Sequence, residues 1–164
     1  MTKVQLLEAF KAFTQEATKD LIFPVRVQRV DEEATFRSPD VYLMRLPDGK
    51  SATKYAPYVL HQLVTGADKQ QEGEYPEGIA TVRSIMCVYS DDEQEGGMML
   101  LNLAERLRIQ LLKQIVIGNQ FELDLTQGGL EFLAYPDDTA PYFIGEMMSV
   151  WKMPPIKREV PQIW

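Results

Sequence analysis

Residues 80–115 read ATVRSIMCVYSDDEQEGGMMLLNLAERLRIQLLKQI, and this stretch predicts a strand that is followed at once by a long helix. Its first part, residues 80–90, is rich in β-branched side chains, and after Ser84 it is apolar on both faces. That pattern is typical of a central strand that is covered at least partly on both sides. The stretch therefore predicts the middle of a sheet and the main helix that packs on it.

From Leu100 onward, apolar residues recur at helical spacing, and we expect the arc that they form to face the sheet. The arc contains Leu100, Leu103, Ala104, Leu107, Leu111 and Ile115, and it is widened by Leu101 and Leu112. Met98 and Ile109 instead point toward the polar side, where Glu105 lies, whereas Arg108 falls inside the arc. Ile109 is either an ordinary exposed side chain or part of an interface. Arg108 either extends its charge to the edge of the core or pairs with an acidic group of this chain or of a neighbour.

Before the helix lie Asp91, Asp92, Glu93, Glu95, Gly96 and Gly97. Acid–base catalysis usually needs one carboxylate in an apolar pocket, which a polar run of acids does not provide. The same charges would repel a phosphate, and their spacing does not match the calcium loop of an EF-hand. We expect that Ser90 or Asp92 caps the helix, that the acids favour its N-terminus, and that the glycines let the strand turn into the helix.

The N-terminal part of the chain predicts a helix and then strands. Residues 2–19 have helical period, with Thr2 and Gln5 in a capping-box pattern. Residues 21–31 predict a short extended piece, and residues 32–40 a loop. Residues 41–56 predict a strand, a turn at Pro47-Asp48-Gly49, and a second, more polar strand.

The remaining strands flank the central stretch. Residues 57–64 and 142–153 predict one strand each. Residues 65–78 are polar and without apolar period, which predicts a long surface loop that either contacts a partner or is only a hairpin tip. Residues 121–125 and 129–135 predict a hairpin with its turn at residues 126–129.

This order of elements predicts the α+β class: a single-domain sandwich in which a largely antiparallel sheet carries helices on one face. The domain is expected to span residues 1–151. A proline-containing C-terminal arm, residues 152–164, is expected to be extended. The arm carries the basic residues Lys152, Lys157 and Arg158 among apolar side chains and ends at Trp164. It is expected to dock either on another copy or on its own domain.

Composition narrows the function. The chain has 164 residues, of which 45% are hydrophobic, and a net charge of -7. These values predict one soluble domain that is made in a cytoplasm, and they argue against a large phosphate-binding surface. The longest apolar runs are too short to cross a bilayer, so no membrane contact is expected.

No catalytic motif is present. The only cysteine, Cys87, and the only histidine, His61, lie in predicted strands, where a structural role is expected. The chain contains no Gly-x-Ser-x-Gly elbow, no Cys-His signature, no HExxH and no Cys-x-x-Cys. We therefore predict a non-enzymatic protein with no catalytic residues, no metal site and no cofactor.

The layout resembles a family, the tail terminator proteins of long-tailed bacteriophages, with related tail-completion and neck proteins. The similar segments are PYVLHQLV, TVRSIMCVYSDD with the helix MMLLNLAERLRIQLL, and PYFIGEMMSVWKMPPI, which together span residues 57–157. The N-terminal helix also suits the family, whereas the turn at Pro47-Asp48-Gly49 departs from it. This departure leaves open whether the chain is a terminator or another head-tail joining component of the neck.

The resemblance implies a virion structural protein at the tail-head junction, assembled in the host cytoplasm. Such a protein forms a homo-hexameric ring that caps the tail tube and stops its polymerisation. Its partners would be itself, the tail tube protein and the head-side connector, and DNA would pass through the ring without specific binding. The opposing possibility is a small ligand-binding or enzymatic domain. Candidate interface residues are Asp91, Asp92, Glu93, Glu95, Met98, Glu105, Arg108, Ile109, Lys152, Lys157, Arg158 and Trp164.

Overall fold

The computed structural model describes residues 2–27, 33–47, 55–136 and 138–159. The helices are α1 (Lys3–Thr18) and α2 (Glu93–Gln114). The strands are β1 (Phe23–Val25), β2 (Thr35–Arg37), β3 (Asp40–Leu43), β4 (Tyr58–Lys69), β5 (Glu77–Tyr89), β6 (Val116–Ile117), β7 (Phe121–Leu123), β8 (Glu131–Ala134) and β9 (Tyr142–Met153). The fold is α+β, as predicted.

A curled, largely antiparallel sheet forms the centre of the molecule. Its strand order is β3-β4-β5-β9-β7-β6, and β8 pairs with β9 beside β7. β5 lies between β4 and β9 and pairs with each over nearly its whole length, so the prediction of a central strand is confirmed. Among the described strands, only β3 and β4 pair in parallel. β1 and β2 form a separate two-stranded sheet.

Both helices pack on one face of the sheet. α1 contacts β3 and β4, and α2 contacts β5 and β9. The core between them is built on Phe10, Trp151 and Phe121, each fully buried. Where the helices meet, Arg106 of α2 donates to the carboxylate of Asp20 at 2.6 Å and to the carbonyl of Ala17 at 3.3 Å.

The apolar arc of α2 is narrower than the sequence predicts. Leu100, Leu103, Ala104, Leu107 and Leu111 are buried against the sheet, as expected. Leu101 and Leu112, expected to widen the arc, are instead exposed. The prediction is wrong for these two leucines because α2 covers the sheet with one side only, and α1 does not reach their side of the helix.

The predicted glycine turn between the strand and the helix does not form, because α2 already begins before the glycines. Asp92 is the N-cap, and its carboxylate accepts from the backbone N–H of Gln94 at 2.9 Å and of Glu95 at 3.3 Å. The predicted capping role is therefore confirmed for Asp92. Gly96 and Gly97, however, lie inside the first turns of α2. Gly96 is buried there because the ring of Phe143 occupies the space that a side chain would need.

Most of the predicted loop at residues 65–78 is strand. β4 continues to Lys69 and β5 begins at Glu77, so the two form one long hairpin whose connection is only residues 70–76. The prediction is wrong because the residues of β4 after Val64 are exposed on both faces. A strand without a buried face has no alternating apolar pattern, so its sequence resembles that of a loop.

Residues 121–135 hold the two predicted strands but not the predicted hairpin. β7 pairs with residues 151 and 152 of β9, and β8 pairs with residues 145–148 of the same strand. The two strands therefore run in line along β9, and the turn prediction is wrong. Between them, Asp124 is buried and its carboxylate accepts from the N–H and the hydroxyl of Thr126.

A second, smaller apolar cluster covers one end of the face opposite the helices. It is formed by Tyr58, Leu60, Cys87 and Tyr142 together with Leu46 and Ala56. Cys87 is fully buried, as predicted, and burial raises the pKa of its thiol to about 12. The segment predicted as a loop at residues 32–40 contains β2, so that prediction is wrong in part. Of the turn predicted at Pro47-Asp48-Gly49 and the strand after it, residues 48–54 lie outside the described residues.

Two adjacent glycines give a matched test of how α2 meets the sheet. We expect Gly96→Ala to lower the free energy of unfolding by about 1–3 kcal/mol, because its Cβ would overlap the Phe143 ring. Gly97→Ala meets no atom within 4 Å. It should raise the free energy of unfolding by about 0.5–1 kcal/mol, since alanine favours helix over glycine. Urea titration measures both changes. Equal stabilisation by both substitutions would contradict the contact with Phe143.

Candidate interaction surfaces

The residues proposed for an interface fall into three groups. Met98, Glu105, Arg108 and Ile109 lie along α2. The acids at residues 91–95 lie at its N-terminus, and Lys152, Lys157 and Arg158 lie at the end of β9 and in the arm. The last proposed residue, Trp164, is outside the described part of the chain. The structure thus brings the α2 residues together but does not bring the acids and the basic residues together.

The exposed side of α2 carries a continuous row of side chains that we call the α2 seam. Met98, Leu101, Glu105, Arg108 and Leu112 follow one another at intervals of three, four, three and four residues. The apolar members of the seam and neighbouring Ile109 expose between 37% and 60% of their surface. Alternating intervals of three and four place side chains in one line along a helix. Sequence reasoning found Met98 and Ile109 but assigned Leu101 and Leu112 to the core.

The two charged residues of the seam form an ion pair. Arg108 Nη1 lies 3.1 Å from Glu105 Oε2, and each side chain is almost half exposed. Of the alternatives that the sequence left open for Arg108, the structure shows pairing with an acidic group of its own chain. An exposed pair of this kind contributes about 0.5 kcal/mol or less to stability, so its groups can be shared with a partner at little cost.

The acids at residues 91–95, which we call the acidic segment, have different roles. Asp92 is used as the N-cap, and Asp91 accepts a hydrogen bond from the Tyr89 hydroxyl. Glu93 and Glu95 are exposed, and their carboxylates have no hydrogen bond or ion pair with any other described residue. Their negative charges also lie at a helix N-terminus, which stabilises them. Glu93 and Glu95 are therefore the members of this segment that can reach a partner.

The arm lies against its own hairpin as far as the structure describes it. β9 continues through Lys152 to Met153, so the extended part begins at Pro154 rather than at residue 152. Arg158 donates to the side-chain oxygen of Gln70 at the hairpin tip, at 2.7 Å. The arm, the hairpin and the start of α1 enclose a crevice of about 270 Å³. Beyond Pro154 the side chains are exposed, so the arm is held by few contacts.

The acidic segment and the arm lie at opposite ends of the sheet. Gly78 near the start of β5 pairs with Met153, the last residue before the extended arm, and Tyr89 at the end of β5 lies two residues before the acidic segment. At about 3.3 Å per residue, these two ends of β5 are separated by up to about 36 Å. Lys157 and Arg158, with Arg158 held at Gln70 of the hairpin tip, therefore lie far from the acidic segment of the same copy.

One half of the sheet face opposite the helices is uncovered by the described residues, and we call it the bare half-face. The apolar cluster at Tyr58 and Tyr142 covers only the other half. Leu133 is exposed here, beside the partly buried Ile79, Met148 and Val150. Arg83 crosses it and donates to Gln62 at 3.0 Å. Exposed and partly buried apolar side chains that lie together on one surface are typical of a site that another protein covers.

The core contains a polar network that the sequence did not reveal as a unit. His61 is fully buried between the Thr14 hydroxyl, 2.8 Å from Nε2, and the Ser84 hydroxyl, 2.7 Å from Nδ1. The edge of Phe10 packs on the imidazole. Ser84 and Thr14 are also fully buried, so a substrate cannot reach this serine–histidine pair. The network fastens α1 to the two central strands, and the structural role expected for His61 is confirmed.

Across the described ranges, no group of three or more His, Cys, Asp or Glu side chains could hold a metal ion. No helix among the described residues is long and apolar enough to cross a membrane. Comparison with models of protein families and with curated proteins finds no match to the chain.

His61 makes stability depend on pH. Burial holds its pKa well below the ordinary 6.5, so below pH 6.5 the unfolded chain binds a proton that the folded chain does not. We expect the free energy of unfolding to fall as pH drops from 6.5 toward about 5, by up to about 1.4 kcal/mol per pH unit. Urea titrations across this range measure it.

The matched control is His61→Gln, which removes the group that titrates. This variant should be less stable at every pH, and its free energy of unfolding should change little between pH 6.5 and about 5, because carboxylates titrate mostly below that range. The same slope in the variant and in the unmodified chain would assign the pH dependence to other groups.

Proposed function

We propose that the chain is a non-enzymatic structural subunit of a bacteriophage tail. It forms a closed homo-oligomeric ring, a hexamer, at the end of the tail tube, where it stops polymerisation and joins the tube to the head-side connector. The family resemblance of residues 57–157 supplies the biological setting of this proposal. The structure supplies the physical reason for expecting a ring.

The observation that carries the proposal is that the acidic segment and the basic residues of the arm lie at opposite ends of β5. Glu93 and Glu95 lie at one end of the strand and Lys157 and Arg158 beyond the other. Two different complementary surfaces on one chain produce head-to-tail association, which closes into a ring when the rotation between copies permits. Each subunit would then offer its arm to the acidic segment of the next subunit.

Two further features support this role. The bare half-face offers apolar surface that a neighbouring subunit or the tail tube can cover. The arm alone does not offer such a surface. The hairpin tip carries Glu72, Glu74 and Glu77, and the whole chain has a net charge of -7. Acidic groups around a central channel repel the DNA backbone, so DNA passes without binding.

Microscopy of the purified protein mixed with its tail tubes tests the function itself. We expect six-fold rings, seated at one end of each tube. Rings that bind the connector but not the tube would identify another neck component. A protein that stays monomeric and binds neither the tube nor the connector would contradict the proposal, and it would favour the ligand-binding or enzymatic alternative.

The head-to-tail contact has a charge-reversal test. The pair Lys157→Glu and Arg158→Glu should weaken ring formation at least tenfold, because like charges would then face each other. The pair Glu93→Lys and Glu95→Lys should do the same, and the four changes together should restore the ring. Light scattering after size-exclusion chromatography measures the assembled fraction.

A matched control uses acids that lie near the arm within one chain. Glu72→Lys with Glu74→Lys reverses two charges at the hairpin tip, and it should not rescue the arm variant. Rescue by the tip changes, and not by the acidic-segment changes, would show that the arm acts only within its own copy.

Deleting residues 154–164 should abolish rings while leaving the free energy of unfolding nearly unchanged, since β9 ends at Met153.

A further inference from the structure

The α2 seam has an order of side chains that is complementary to itself when reversed. Read from the N-terminus, it is apolar at Met98 and Leu101, acidic at Glu105, basic at Arg108 and apolar at Leu112. The intervals are those of the a and d positions of a coiled coil. In an antiparallel pair of helices, a positions of one helix meet d positions of the other.

We propose that the α2 seam binds the α2 seam of a second copy, with the two helices antiparallel and related by a two-fold axis. In this arrangement Leu101 of each copy lies opposite Leu112 of the other. Glu105 of each copy lies opposite Arg108 of the other, twice over. The contact is isologous, because each copy contributes the same surface.

The charges of the seam indicate that its partner is a second copy of the seam, and they favour antiparallel over parallel helices. In a parallel pair, Glu105 would face Glu105 and Arg108 would face Arg108, which like-charge repulsion disfavours. In the antiparallel pair, the existing ion pair at 3.1 Å extends into a four-membered network across the axis.

The exposed apolar side chains at both ends of the seam supply the driving force. Met98 is 60% exposed, and Leu101 and Leu112 are exposed to a lesser degree, although α2 packs well on its other side. Ile109 flanks the seam one residue from Arg108. Burying these side chains against their equivalents removes apolar surface from water.

This contact goes beyond the proposed ring. A ring closed by head-to-tail contacts uses the arm and the acidic segment, and it leaves the α2 seam free. The two-fold contact therefore joins two subunits, or two rings back to back, by a different surface.

Charge reversal in two separate variants tests the pairing. Glu105→Arg alone should weaken two-fold association at least tenfold, because an arginine at position 105 of each copy then lies opposite Arg108 of the other. Arg108→Glu alone should weaken it as much, because a glutamate at position 108 then lies opposite Glu105 of the other copy. Mixing the two variants should restore association, since the arginine introduced by the first change then meets the glutamate introduced by the second across the axis. Sedimentation equilibrium of each variant and of the mixture measures it.

The mixing experiment separates pairing between copies from the ion pair within α2. Each single change also breaks the internal pair, and mixing cannot repair a contact within one chain. Restoration on mixing therefore supports pairing between copies. No gain on mixing, or an unmodified chain without any two-fold species across the concentration range, would overturn the proposal.

The same measurements in the Lys157→Glu, Arg158→Glu background distinguish this contact from the ring. Two-fold association that persists in this background supports the seam, whether or not rings form in the unmodified chain. Loss of both species together would mean that the arm carries all association, and it would overturn the seam proposal while leaving the ring intact.

Discussion

The pairing of β5 with β4 on one side and β9 on the other is the constraint on which the rest of the structure depends. It orders three long strands at once, and it supplies the surface on which α1 and α2 bury their apolar sides. The His61 network and the aromatic pair Phe10 and Trp151 then hold α1 against these strands. β5 also sets the distance between the two charged ends of the molecule. One strand thereby determines both the core and the placement of the candidate contact surfaces.

The sequence predicted well those elements whose apolar residues have a regular period. β5, α1 and the buried side of α2 all bury one or both faces, so their side chains carry the pattern of the structure. The capping roles of Thr2 and Asp92 were also predictable, because a cap depends on residues within one turn. These local and periodic signals were sufficient for the fold class.

Other features depend on contacts that no local pattern encodes. The outer part of the β4–β5 hairpin is exposed on both faces, so its strand residues resemble a loop. Whether β7 and β8 pair with each other or with β9 is decided by β9, which lies later in the chain. The sequence suggested that Gly96 allows a turn, but a glycine is needed there because the ring of Phe143 in β9 leaves no room for a side chain. The sequence did not predict that Leu101 and Leu112 belong to the α2 seam, because the width of the buried arc depends on what α2 packs against.

The functional account rests on contacts between copies, and the distance between the arm and the acidic segment makes its central claim directly measurable. Cysteines placed at Glu95 and Lys157 should form disulfides between copies, since Cys87 is buried and the two sites lie at opposite ends of one chain. After mild oxidation of the assembled protein, we predict a covalent ladder that stops at the closed hexamer. Monomers that remain uncrosslinked, or dimers alone, would contradict a ring closed by head-to-tail contacts.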